Sequence, residues 1–453
     1  MKKITLNLVL TLMLLSISTS YAQSSKSWEW AVNIVGTNSN NSYSLFTDKE
    51  GNSYVAGGFV DTLKVGNVQL ISRGASDIYI LKYNSKGNLI WAKQAGGTDD
   101  DKAYGIAADA SGNLFLTGYF SGTADFSGKK LISNGDRDFF VAKYSTNGEA
   151  IWVKQGGSTL EDYGTAVASD KNGNVFITGI FKGTMSLGNS KYVSKGDKDI
   201  FIIKYNTNGE IVWSTTGGGS MLDESTAITT DKDGNCFVTG DFEGSAVFDK
   251  KLIVSAGQKD IFIAKYSASG NIEWLKRAGC STGDDHASSI AADNGGNIYV
   301  TGYFSGIAYF GKIELKNIHS DDIFLVKYDA NGNEIWAKQT GGKGKEHASA
   351  LKLDDKDNIY VTGEFNADIT IDANSINSYG DWDIFVIKYD NSGKMMGGTQ
   401  IGGVGYDKAY CIGLDAQSNI YVVGYFSKAI MIGNTKLTSI DADDSFIAKL
   451  KAF

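Results

Sequence analysis

The chain carries three histidines in 453 residues: His286, His319 and His347. Two of them directly follow a carboxylate, in "GDDHAS" (283–288) and "GKEHAS" (344–349). An imidazole beside a carboxylate can carry a proton or help to hold a cation. His319 stands three residues before Asp322. Zinc would need three or four ligands at a recognisable spacing, which Asp284, Asp285 and Glu346 beside the histidines do not supply. No metal and no cofactor is expected.

His286 and His347 occupy one position of a repeat, which reads Asn41, Lys102, Tyr163, Glu224, His286, His347 and Lys408 along the chain. The residue before it is nearly fixed: Asn40, Asp101, Asp162, Asp223, Asp285, Glu346 and Asp407. A free position beside a constrained one is what a binding surface leaves on a repeated scaffold, and drift of solvent-facing residues is the plain alternative. The acids suggest a negative collar, with turn capping as the simpler explanation. Tyr104, Tyr163 and Tyr410 suit sugars, whose C–H faces stack on rings while their hydroxyls seek carboxylates. Trp382 stands where other repeats have Ser76, Arg137, Lys198, Lys259, Asp321 and Asp443, so an exposed Trp is expected on the same face. The expected ligand residues are therefore His286, His347, His319, Trp382, Asp285 and Glu346 in the fifth and sixth repeats, with Tyr163, Lys102 and Lys408.

Catalytic signatures are missing. The chain has no G-x-S-x-G, no HExxH, no Walker A and no GxGxxG opening a helix. "DKDGN" (231–235) invites a calcium reading but lacks the DxDxDG spacing and the later bidentate Glu. "YDANGNEIW" (328–336) approaches the sialidase Asp-box, yet its Gly-to-Trp distance is one residue too long.

The elements that must position these residues follow from the repeat itself. A phrase such as "NIYVTGYF" (297–304) recurs, with its glycine at 57, 118, 179, 240, 302, 363 and 424, a period of 61 with a single 62. Each period reads as four strands: "AYGIAAD" (103–109), the phrase, "DFFVAKY" (138–144) and "AIWVKQ" (150–155). The third is apolar on both alternating faces, as a strand covered on both sides must be. The expected fold is all-β: a seven-bladed β-propeller of four-stranded antiparallel blades. The chain stops after a third strand (444–453), while "WEWAVNIVG" (28–36) has the form of a fourth, so the N-terminal strand should complete the last blade and close the ring. The long connections, such as 121–137, are expected as loops on the ligand-binding end.

These units resemble the bacterial β-propeller repeats known as SBBP repeats, found in exported and cell-surface proteins. The resemblance runs through D-x-x-G-N-x-[YF]-[VIL]-[TA]-G-x-F and D-[IF]-[FY]-[IV]-x-K-Y-x-x-x-G-x-x-x-W, and it implies a fold without a defined catalytic motif. Gly397 stands where the Trp is expected in the sixth blade, so its outer strand should be loose.

Lys2 and Lys3, the apolar stretch 4–15 and small residues at Ser20 and Ala22 read as a signal peptide over residues 1–22. Residues 23–453 then form one domain, with blades near 37–94, 95–155, 156–216, 217–277, 278–339, 340–400, and 401–453 with 27–36. The expected location is outside the cytoplasm: periplasmic, cell-surface or secreted. Losing the two lysines takes the formal charge from −8 to −10, a poor match for nucleic acid. Cys236, Cys280 and Cys411 are isolated thiols, no later segment is apolar enough to span a bilayer, and a monomer is expected. The function these features suggest is an exported module that binds a glycan, or an extracellular or periplasmic protein or peptide. The alternative is a polysaccharide lyase or glycoside hydrolase acting at the channel mouth.

Overall fold

The computed structural model describes residues 28–371, 374–440 and 443–453, so the expected signal peptide lies outside the described residues. Among the described residues every regular element is a strand. The first ones are β1 (Trp28–Gly36), β2 (Asn40–Thr47), β3 (Ser53–Phe59), β4 (Thr62–Val65), β5 (Val68–Ile71), β6 (Asp77–Tyr83) and β7 (Leu89–Gly97). β2, β3, β6 and β7 pair in that order, each antiparallel to the next. The same order recurs in Lys102–Ala108, Leu114–Phe120, Asp138–Tyr144 and Ala150–Gly156, and again along the chain. At the other end β1 pairs antiparallel with Asp444–Leu450, with Ala31 opposite Ala448 and Val32 opposite Ile447.

The connection expected as a long loop between the second and third strands is instead a hairpin. β4 pairs with β5, and β4 also reaches back to β1 through Val35↔Lys64 and Gly36↔Leu63. In the next unit Ala124 meets Gly97 of β7 in the same way. The reason is legible in "TADFSGKKLI" (123–132): Ala124 and Phe126 alternate inward and are buried, while Ile132 stays 68% exposed. Gly128, at φ +87°, makes the turn. In two units, Cys236–Phe248 with Lys251–Tyr266 and Ile298–Phe310 with Ile313–Tyr328, the strands run into the hairpin without a break.

The core lies between neighbouring sheets. Ile200, Phe201, Ile202 and Ile203 have no exposed surface, so the third strand is covered on both faces. Tyr54, Ile78 and Ile80 of one unit pack with Leu114, Leu116 and Phe140 of the next. Leu45 and Tyr79 pack with Tyr421, Val423 and Ile447, which joins the units at the two chain ends. Each such side chain contributes about 1.5–3 kcal/mol of burial. The phrase's glycine has a steric reason: the first strand bulges between Ala103 and Gly105, and a Cβ on Gly118 would overlap the Lys102 carbonyl. Trp91 Nε1 donates to the Thr146 carbonyl of the next unit at 3.3 Å, and Trp30 and Trp152 do likewise to Ser85 and Thr207. Gly397 removes that tie in the sixth unit, but its strand still pairs, with Lys388 opposite Gly397; the expected loosening is confined to the missing indole.

Candidate functional site

The middle stretches of the first strands line a cavity of about 190 Å³, through short runs such as Tyr43–Leu45, Thr165–Val167 and Ser349–Lys352. A second cavity of about 340 Å³ lies beside it, where Tyr43, Tyr104 and Tyr410 meet Ile180, Glu224, Thr226 and Thr165. One wall is thus aromatic and the other carries hydroxyls and a carboxylate.

The three tyrosines belong to a longer run of rings. Tyr43 touches Tyr104 (5.1 Å between centroids) and Tyr410 (5.2 Å). Tyr104 leads to Tyr119 and Tyr163. Tyr410 leads to Tyr425, then Tyr406, Trp382, His347, Tyr303 and His286. The tightest step is Tyr303 to His347, at 4.1 Å. Apart from Tyr119, which is buried, these rings are half-buried, leaving part of each to solvent.

Charged groups brace the run. His347 has one ring nitrogen 3.2 Å from Asp321 and the other 3.5 Å from Glu364. Lys408 sits 2.9 Å from Glu364, and Lys345 3.0 Å from Asp321. Burial works against the His347 charge, but the two carboxylates outweigh it and its pKa is raised. Burial likewise opposes ionisation of Glu364, yet His347 and Lys408 hold its carboxyl below the usual range. His286 Nδ1 is bonded to the buried Asp241. At the far end Arg137 lies 3.0 Å from Asp100 and 4.7 Å above the Tyr119 ring. Burial pushes the hydroxyls of Tyr43, Tyr104, Tyr163 and Tyr303 up to about 12.

Six of the residues named from sequence therefore share one face: His286, His347, Trp382, Tyr163, Lys102 and Lys408. Trp382 is half-buried between His347 and Tyr406 instead of standing free. His319 is separate from the run and exposed on the outer half of Ile313–Tyr328. Asp285 and Glu346 are completely buried and offer no collar to solvent. Asp285 accepts the Cys280 N–H, and Glu346 the Gly342 N–H at 2.9 Å. Asp101, Asp162 and Asp223 treat Gly97, Ser158 and Gly219 alike, so this position fixes the entry to the first strand. In two units the acid and the Asp that opens the third strand of the preceding unit both approach one glycine. A Cβ on Gly96 would lie 2.8 Å from both Asp101 Oδ2 and Asp77 Cγ, and one on Gly279 2.7 Å from Asp285 Oδ2 and 2.9 Å from Asp260 Cγ.

One row of site residues went unread in the sequence. The variable residue between Gly and Phe in the phrase is Tyr119, Ile180, Asp241, Tyr303, Glu364 or Tyr425 in successive units. Register sets each beside a first-strand residue: Lys102↔Tyr119, Tyr163↔Ile180, Glu224↔Asp241, His286↔Tyr303, His347↔Glu364 and Lys408↔Tyr425. The signal was the one position that changes inside an otherwise fixed phrase.

Among the described residues no group of three or more His, Cys, Asp or Glu is placed to hold a metal ion. In "DKDGN" the Asp231 carboxylate accepts the N–H groups of Asp233 and Asn235, both at 2.9 Å, and so closes a turn. No helix among these residues is long and apolar enough to cross a membrane.

Residues 90–122 and 273–303 match the family model of the SBBP β-propeller repeat. Each match covers a fourth strand and the first two strands that follow it. Two stretches of the chain thus match a β-propeller repeat. It is similar to an uncharacterized WD repeat-containing protein of Acanthamoeba polyphaga mimivirus, 23% identical over 88% of this chain and 36% of the relative. The regulatory protein FlaEY of Caulobacter vibrioides is 28% identical over 30% of this chain and 15% of its own length. The chain thus spans well under half of either relative. Similar solved structures include the WD40 β-propeller domain of Doa1 (7% identical, 93% of this chain and 97% of that one, TM-score 0.47) and the polysaccharide lyase Uly1 (12% identical, 90% of each, TM-score 0.46).

Proposed function

We propose that the protein is an exported binding module: a seven-bladed propeller, closed by β1, that holds a glycan at the mouth of its central channel. The observation that carries this reading is the run of mostly half-buried rings from His286 to Tyr163, which passes along a cavity lined by Tyr43, Tyr104 and Tyr410 together with Glu224, Thr226 and Thr165. Sugar rings offer C–H faces to aromatics and hydroxyls to polar groups, and a cavity of about 340 Å³ is at the lower end of the size range of small-molecule sites. Binding fits the groups better than turnover does. Both nitrogens of His347 face carboxylates, and the tyrosine hydroxyls are held protonated by burial, so these groups are poor proton acceptors at neutral pH. A glycan array followed by calorimetry on the Tyr410→Ala variant tests the proposal. Binding that weakens in this variant supports it. Release of unsaturated or reducing ends would favour the lyase or hydrolase reading, and binding of a peptide alone would move the ligand to protein.

A further inference from the structure

The strand-entry acids that fail as a collar point to a different role. Asp162 and Asp138 are fully buried, and Asp138 Oδ1 has no hydrogen-bond partner there. Asp199, Asp322 and Asp383 repeat this, each with a buried Oδ1 lacking a partner. Two ionised carboxylates facing one another in a buried site repel, and a cation or a proton between them relieves the charge. The surroundings decide between these. The groups that reach Asp162 are N–H donors, from Ser158 at 2.6 Å and Lys182 at 3.2 Å, whereas a cation would call for carbonyl oxygens.

The protein also contains its own control. In the unit that β1 completes, the acid is replaced by Asn40, whose Nδ2 donates to Asp444 Oδ1 at 3.0 Å. The glycine under the pair is replaced there by Val35. An amide is the neutral counterpart of a protonated carboxyl; here it donates to Asp444 Oδ1, which also accepts the Gly36 N–H at 2.9 Å that the first-strand acid takes elsewhere.

We propose that in each of the other six units the two carboxyls share one proton, so that the acid heading the first strand is a protonated donor in the folded protein. The facing charges agree. Burial raises Asp77, Asp199 and Asp260 as well, and Arg73, Lys195 and Arg277 beside them work in the opposite direction, favouring the charge on the third-strand member. Asp100 and Asp77 both raise Asp101, Glu243 acts on Asp223, Cys280 on Asp285, His347 and Asp322 on Glu346, and Asp443 and Asp383 on Asp407. The groups acting on Asp162 are Ser158, the Lys182 N–H and Asp138; those acting on Asp138 are Asn134 and Gln155. Burial pushes Asp162 up to about 7 and Asp407 to about 8.

The experiment is a ¹³C NMR titration of the full chain with carboxyl-labelled aspartate, repeated on Asp162→Asn and run with EDTA or calcium. The expected result is a group of aspartate carboxyls titrating near neutral pH, one of them missing in the variant, with the same pattern in EDTA and in calcium. If every aspartate of the wild type titrates in the ordinary acidic range, the shared proton is refuted without recourse to any variant. If calcium abolishes the neutral titration and raises the wild-type melting temperature, the pairs are cation sites and the proposal is likewise overturned.

Discussion

Trp382 and Tyr410 sit in the run of rings with part of each face open, and neither is part of the sheet core. Removing an aromatic anchor at the centre of a contact costs about 2 kcal/mol or more, roughly thirtyfold in affinity. Trp382→Ala and Tyr410→Ala should each weaken glycan binding by that order while leaving the melting temperature near wild type. Calorimetry with a thermal scan checks both. His347 makes a pH-dependent contribution. Its pKa is raised in the folded protein by Asp321 and Glu364, so the stability it adds is fully present below its unfolded value of about 6.5 and is lost as pH rises past the folded value. His347→Gln should therefore lower the melting temperature more at mildly acidic than at alkaline pH. Equal losses at both would show that only its packing matters.

The strands were easier to read than the surfaces between them. A two-faced apolar run such as "IFII" (200–203) admits one explanation, a strand covered on both sides, and those residues are buried. The hairpins were missed because "SGTADFSGKKLISNGDR" (121–137) is rich in turn residues, and its alternation spans only four residues a side. The site was half legible for a related reason. The first-strand row stands out beside its fixed acid, whereas Asp241, Tyr303 and Glu364 hide inside the most regular phrase in the chain. Burial of Asp285 and Glu346 could not be seen at all, since an acid on a turn looks the same whether its partners are water or N–H groups. β1 invites a direct test. Ile34 is fully buried in the cluster that joins the chain ends, so Ile34→Ala should cost about 2–5 kcal/mol. A chain lacking residues 28–36 should aggregate or melt far lower; an unchanged thermal scan would contradict the role given to this strand.

Across the whole molecule the buried acid pairs set the response to pH. A carboxyl whose folded pKa is raised binds its proton more tightly than the unfolded chain does. Stability then falls as pH rises from the ordinary carboxylate value, about 4, and levels off beyond the folded value. With Asp101, Asp162, Asp223, Asp285 and Glu346 pushed to about 7, the protein should be most stable in mild acid and lose stability steadily up to neutral pH. Denaturant melts over that range measure the slope. Asn40→Asp would add a seventh acid facing Asp444, and should destabilise more at alkaline than at acidic pH.

The seam between β1 and Asp444–Leu450 also fixes how the molecule would respond to tension. The two strands are antiparallel, and Trp28 lies opposite Leu450 at the same end of the ladder. A load applied between those two residues pulls the rungs open one after another, from Trp28 towards Ile34, and never stretches them all together. The seam should thus part at low force, as a zipper does. Pulling instead between Trp28 and a point beyond the far end of the ladder, near Asp444, would strain every rung at once and meet a far stronger joint. Optical-tweezer measurements with handles in the two positions would distinguish these forces.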